Sequence, residues 1–368
     1  MRSSRILARY LSSATPPAPL LLRPLIGLEV HAQLQTATKL FTSSPTTSSS
    51  APNTNLSPFD LSLPGTLPVL SPDAVRLALT ASLALSSTIN NVSIFERKHY
   101  FYPDSPHNYQ VTQNRWPVAS GGRLDFEGGS TEVTRVQIET DTGKMTGALD
   151  AQGSAQGVSN IDYNRAGCGL IEIVFEPDID TCEGAGRAVK QLQMLLKHTG
   201  VCDGRFEEGS MRVDLNVSVY EEGKFMLNNR VEVKNINSLK AIVSAAEFEF
   251  ERQKKIVKAG GTVAQETRMF DKVTGVTKVM RRKEDMLDYR FMPEPDLPPL
   301  VLDRFDGIDL EDIRRNLAEL PELAKLVRRE HRSGGATSRL IVPTFVSFVF
   351  ASLTQLSHFP TLPNPRSA

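Results

Sequence analysis

From Ile26 the chain alternates. In IGLEVHAQL, Ile26, Leu28, Val30, Ala32 and Leu34 share one parity, while Glu29, His31, Gln33 and Gln35 share the other. That period of two predicts a strand with one buried face. The division recurs in RVQIETDTGK, with Arg135, Gln137, Glu139 and Asp141 together. It recurs in SMRVDLNVSVY, where Arg212, Asp214 and Asn216 oppose Met211, Val213, Leu215, Val217 and Val219, and in RVEVK, with Arg230, Glu232 and Lys234. GLIEIVFEPD breaks the rule, because Glu172 stands among Leu170, Ile171, Ile173, Val174 and Phe175. A carboxylate in so apolar a strand requires a cation, a metal or a donor; a buried ion pair with an arginine is the plain alternative.

Helical periodicity is confined to punctuated stretches. Ser71 and Pro72 predict an N-cap and a first-turn proline before DAVRLALTASLAL, and Asp180 with Glu183 predicts a capping box before AVKQLQMLLKHTG. A third helix is predicted from about Ser238 to Gly260. Strands in number, few helices and no regular strand–helix alternation predict an α+β fold built on antiparallel sheet. The stretch Ser43 to Ser57 is a Ser/Thr/Pro/Asn-rich loop. From about His331 the text turns rich in Ser, Thr and Pro and loses helical periodicity.

Composition narrows the picture. The 368 residues suffice for two or three domains, and 42 basic against 42 acidic residues exert no overall pull toward nucleic acid, so any RNA contact needs a local patch. Cys168, Cys182 and Cys202 are too few and too irregularly spaced for a disulfide framework or a four-ligand zinc site, which suits a reducing compartment. Residues 1–23 carry Arg2, Arg5, Arg9 and Arg23 with several serines, and no acid precedes Glu29. They are expected to be a mitochondrial transit peptide, with the matrix as destination; a disordered basic tail is the alternative. The apolar run from Leu340 is short and holds Pro343, so no membrane insertion is expected.

On a strand, residues i and i+2 lie about 7 Å apart on one face, so Glu29 and His31 can approach a common ion. Neighbouring strands can add Glu139, Asp141, Glu172 and Glu176. A single such glutamate is usually a solvated strand residue, and the signal lies in the repetition. Carboxylates with one imidazole favour Mg²⁺ over zinc. Arg165, Arg212, Arg230, Lys234, Arg268, Arg281, Arg282 and Arg290 supply the positive charge that phosphoryl transfer needs, although opposite charges on strands also make plain ladder pairs. In ERKHYFYPDSPHNYQ, Lys98, Tyr100 and Tyr102 crowd a turn with His99, Phe101, Asp104 and Tyr109. That density suits a ribose, a base or a terminal adenosine, or else an aromatic loop packed on the core. There is no GxxxxGK[ST], no GxGxxG after a strand and no GxSxG. Nucleotide use must therefore rely on a sheet surface, and nucleophilic hydrolysis has no obvious seat here.

In order, IGLEVHAQL, LPGTLPVL, RKHYFYPDSPHNYQ, DTGK, DYNRAG, LIEIVFEPDI, EEGSMRVDLNVSV, VEVKNINS, QETRMFD and DYRFMPEPDLPPL resemble the GatB family, the kinase-like component of the tRNA-dependent amidotransferases, over roughly Leu25 to Leu323. The resemblance implies a cradle domain over 24–300, related to the sheets of glutamine synthetase and guanidino kinases, and the beginning of a helical domain over 301–330. It implies ATP-dependent phosphorylation of the glutamyl γ-carboxylate on Glu-tRNA(Gln), then displacement of phosphate by ammonia. The implied partners are the amidase (A) subunit and a small C- or F-type subunit, and the implied cofactor is Mg²⁺. Glu29, His31 and Glu172 match metal positions of the family. The family's EED-A/S-G motif departs here, with Thr140 at its second acid, so either the site is incomplete or Glu139 or Asp141 takes over. Arg165, Arg212 and Lys234 are expected to steady the phosphoryl group, Lys98, Tyr100, Tyr102 and Arg268 to hold the nucleotide, and Glu208 or Asp214 to take ammonia's proton. Cys pairs that bind zinc in some members correspond to Thr42, Ser44, Ser57 and Asp60, and no zinc is expected.

Residues 331–368 carry no family resemblance, and the helical and tRNA-gripping tail domains of the family do not follow. That implies a truncated or mis-spliced gene product, or tRNA positioning by partner subunits. Rival readings are a small-molecule phosphotransferase or amide ligase on the same fold, and an inactive scaffold that binds the amidase subunit.

Overall fold

A computed structural model describes residues 21–47, 50–149, 155–221, 229–282 and 288–320. Most of the expected leader, the side chains of Arg281 and Arg282, and the atypical tail lie outside them. The strands are β1 (Leu22–Gln33), β2 (Thr88–Ile89), β3 (Val92–Ser93), β4 (Glu96–His99), β5 (Tyr109–Thr112), β6 (Ala119–Ser120), β7 (Arg123–Phe126), β8 (Gly129–Thr140), β9 (Lys144–Leu149), β10 (Ala155–Asp162), β11 (Gly169–Phe175), β12 (Met211–Glu221), β13 (Val231–Ile236), β14 (Glu266–Asp271), β15 (Val276–Arg282), β16 (Met292–Pro293) and β17 (Leu300–Val301). The helices are α1 (Pro72–Ala84), α2 (Cys182–His198), α3 (Leu239–Lys258) and α4 (Leu310–Ala318).

The main sheet runs β15-β14-β13-β12-β1-β11-β8-β6-β2, with β7 also on β8. Its pairs are antiparallel except β13 with β14, which are parallel and joined through α3. The α+β architecture read from the alternation is therefore present. Helices α1, α2 and α3 pack on one face, where Ile26, Leu28, Val30, Val213, Leu215, Val217, Ile171 and Ile173 form the core. The polar parity of each strand consequently points to the other face. β11 lies at the centre of the sheet and is buried on both sides, which is why its sequence does not alternate.

Local chemistry sets the helix ends. Ser71 caps α1 through Ala74 N, and Ser238 caps α3 through Ala241 N, as expected. At α2 the expected Asp180–Glu183 box is replaced: the hydroxyl of Thr181 accepts from Gly184 N, so Thr181 is the cap. Leu22 and Arg23, read as the end of the leader, are rungs of β1 opposite Glu221 and Tyr220. The polar loop after β1 is fastened rather than loose. Asp60 accepts from Ser44 Oγ at 2.7 Å, Ser57 N at 2.8 Å and Thr42 Oγ1 at 3.3 Å, and Lys39, fully buried, places Nζ 3.4 Å from it.

Candidate metal and phosphate site

Register carries Glu29, His31 and Glu172 to one place. His31 of β1 lies opposite Glu172 of β11 and Arg212 of β12, while Glu29 lies opposite Asp214. One ligand atom from each of Glu29, His31 and Glu172 falls within 4.8 Å of the others. Glu172 is 3% exposed, and its Oε2 accepts from Gln137 Nε2 at 2.7 Å. Gln137 also donates to Thr112 Oγ1, which fixes the amide's orientation.

Electrostatics make this an unsatisfied cluster. Burial, then the charge of Glu139, raises Glu172 to about 8, against the pull of His31 and Lys98. Burial opposes a charge on His31 too, but Glu29, Glu172, Glu139 and Asp214 outweigh it and raise the imidazole to about 9. Burial would also raise Glu29, yet contacts with His31 and Glu172 and the charge of Lys234 carry it well below the ordinary carboxylate range. Glu139 adjoins the group: Oε1 accepts from Gln110, Lys98 Nζ stands 3.7 Å from Oε2, and Oε2 itself is buried without a hydrogen bond. Carboxylates crowded with one imidazole, holding protons for want of positive charge and leaving a buried oxygen unbonded, form an oxygen-rich donor set that fits a hard divalent cation.

The other expected residues separate into three groups. Asp141 is held between Arg212 (2.9 Å) and Arg165 (3.3 Å), so of the two substitutes left open for Thr140, Glu139 is the one beside the cluster. Thr140 itself points to the sheet edge, where its hydroxyl accepts from Val111 N. Lys234 pairs with Asp214 at 2.7 Å and Glu232 at 3.1 Å, and Lys98 lies over the Tyr289 ring. These cations border the carboxylates. Tyr100 and Tyr102 stack on each other with Tyr102 half exposed, whereas Tyr109 of the same segment packs against the core.

Arg268, expected at the nucleotide, lies elsewhere. It is paired by register with Val233, on the helix-covered face, and bonds Thr277, Glu266 and Glu249; the strand parity of β14 takes it away from the site. Glu208 sits in an exposed turn paired with Arg205, and Glu176 is exposed and receives Thr134. Sequence reasoning passed over Gln137, Gln110 and Tyr289. The first was already marked by its parity with Glu139, whereas the others come from distant segments that only the fold brings near.

Fold and site together define an α+β domain that presents a cation-ready carboxylate–imidazole centre on the open face of its sheet. The chain belongs to the GatB/GatE catalytic domain family, whose profile matches residues 24–305. It is similar to the B subunit of the aspartyl/glutamyl-tRNA(Asn/Gln) amidotransferase of Synechococcus sp. (strain JA-3-3Ab), at 44% identity over 86% of this chain and 64% of that protein. The chloroplastic/mitochondrial B subunit of the glutamyl-tRNA(Gln) amidotransferase of Ostreococcus tauri is 44% identical over 86% of this chain and 60% of its own length. The mitochondrial counterpart of Danio rerio is 45% identical over 82% and 57%. The chain thus spans somewhat under two thirds of the relatives it matches.

Proposed function

We propose that this chain is the kinase-like subunit of a glutamyl-tRNA(Gln) amidotransferase working in mitochondria with an amidase subunit and a small C- or F-type subunit. The observation that carries the reading is the convergence of Glu29, His31, Glu172 and Glu139 between Lys98, Arg212 and Lys234. Glu29, His31 and Glu172, with Glu139 beside them, would hold Mg²⁺, which when bound neutralises charge on ATP phosphates. A γ-carboxylate oxygen of the tRNA-borne glutamate attacks the γ-phosphorus, the bond to ADP breaks, and an acyl phosphate forms. Lys98, Arg212 and Lys234 face the charge that spreads over the transferring oxygens. Ammonia then forms the C–N bond and phosphate leaves, and Asp214, which pairs with Lys234, would accept the proton.

The test uses the assembled complex with Glu-tRNA(Gln) and ATP labelled at the γ-position. Glu172→Gln is expected to abolish label transfer; transfer at the unaltered rate would overturn the assignment. The organellar relatives and the basic, acid-poor first residues support mitochondrial import. Residues 1–30 fused to a fluorescent protein should reach mitochondria, and cytosolic fluorescence would refute that part.

A further inference from the structure

The chain's sole tryptophan lies outside the machinery described so far. Trp116 is 55% exposed and lines an open groove of about 620 Å³ between the β2–β3 turn and the β5–β6 connection, with Asn90, Val92, Asn114, Arg115 and Arg135. No carboxylate lines this groove. Of the acids hydrogen-bonded to its lining, Glu96 is ion-paired with Arg115, while Asp303 and Glu176 accept from the neutral Asn91 and Thr134. Arg115 keeps 55% of its side chain exposed, and the only described contact of the Arg135 guanidinium is from Nε to Gln137 Oε1 at 2.8 Å. Both terminal nitrogens of Arg135 are thus open to an anion. The Asn114 side-chain amide likewise has no partner among the described residues.

Strand register ties the groove to the carboxylate centre. Arg135 shares a transverse row with Glu29, through Val174 of β11, and two interstrand spacings put them about 10 Å apart. The hydrogen-bond chain Arg135–Gln137–Glu172 joins the two directly. A ring platform beside two guanidiniums and an uncommitted amide edge is the recognition chemistry of unpaired nucleotides, whose bases stack on aromatics while arginines track phosphates. The neutral overall charge of the chain demands a local cation for any RNA, and the uncommitted guanidinium of Arg135 supplies one beside the ring. Its openness fits a strand passing through better than a mononucleotide, which pockets normally enclose.

We propose that the groove around Trp116 receives the single-stranded 3′ segment of the RNA, the nucleotides preceding the esterified terminal one, so that the glutamyl ester lies over the carboxylate centre. This rests on the reaction proposed above. Because Trp116 is the sole tryptophan, the emission of the unaltered full chain reports on the groove without any substitution. A short single-stranded RNA ending in CCA is expected to quench it saturably, with a midpoint that weakens as salt rises, whereas ATP and AMP leave it unchanged. Quenching by the mononucleotides would make this a nucleotide pocket, and no quenching by any of them would leave the groove unused; either overturns the proposal. In the assembled complex, Trp116→Ala should raise KM for Glu-tRNA about 10-fold with KM for ATP unaltered, and Trp116→Phe should restore most of the loss. An unchanged KM with normal phosphoryl transfer refutes the groove alone. Quenching without phosphoryl transfer refutes the reaction and leaves the groove standing.

Discussion

Two carboxylates are buried on opposite faces of the same sheet in very different company. Glu249, on α3 against the helix-covered face, has no exposed surface, and Arg252, Arg268, Thr277 and Gln253 all bond or pair with it. Glu172, on the open face, receives Gln137 and otherwise meets Glu29, Glu139 and His31, with Lys98 acting on it only through its charge. The first set is closed: two guanidiniums and neutral donors answer the charge. The second set is short of positive charge and holds protons instead. Burial is common to both, so burial alone does not decide how each carboxylate is charged; the balance of its partners does.

The contrast breaks most sharply under substitution. Glu172→Gln should lower phosphoryl transfer on the order of 10³-fold in a single-turnover assay, while the variant stays folded. Glu249→Ala should do the reverse, costing about 3–5 kcal/mol in denaturant titrations by stranding Arg268 and Arg252, with kcat per folded molecule unchanged. A loss of kcat in the folded fraction of the second variant would erase the distinction between the faces.

Metal sharpens the same comparison. Mg²⁺ at 100 times its Kd should stabilise the unaltered chain by about 2.7 kcal/mol, seen as a raised Tm, and should leave Glu172→Gln nearly unmoved. Because burial and Glu139 raise Glu172 to about 8 and the surrounding carboxylates raise His31 to about 9, an ion bound there would compete with their protons. The Mg²⁺-induced rise in Tm should therefore grow as pH increases from 6 to 8.5; a shift independent of pH would count against these ligands. Without metal the sign runs the other way. A carboxylate whose folded pKa is raised contributes stability at pH values below its ordinary range and loses it as pH rises through about 8. Metal-free Glu172→Gln should accordingly exceed the unaltered chain by about 1–2 kcal/mol at pH 8.5, a gap that narrows toward pH 5. The smallest effect belongs to Thr140→Val, which leaves Val111 N without its acceptor and should cost about 1 kcal/mol, with Mg²⁺ affinity unaltered.

The open face was legible because strand parity is local. Once Glu29 and His31 of β1, Asp214 of β12 and Gln137 of β8 are seen to share the face opposite the apolar residues, their convergence needs only that these strands be neighbours. Glu172 stands out as a lone carboxylate in an apolar strand, and the resemblance to the GatB family adds the expectation of a metal position that its own strand pattern does not give. Arg268 was misplaced because β14 joins the sheet through a helical crossover, and no local pattern says which of its faces turns inward. The α2 cap shifted by one residue because Thr181 and Asp180 are both competent acceptors, and only the chain's approach selects the hydroxyl. Gln110 and Tyr289 act across long loops that sequence periodicity does not reach.

The parallel seam between β13 and β14 has a kinetic consequence. A hairpin such as β14–β15 closes on its own turn, but its attachment to β13 has to wait until α3 has crossed the sheet. Once attached, it is tied across the seam by a short run of ladder rungs and through the Glu249 cluster beneath. It is thus expected to dock late and to open early as one unit. Its amide protons should exchange as a block, ahead of those of β1, and each opening bares the edge of the strand that carries Lys234.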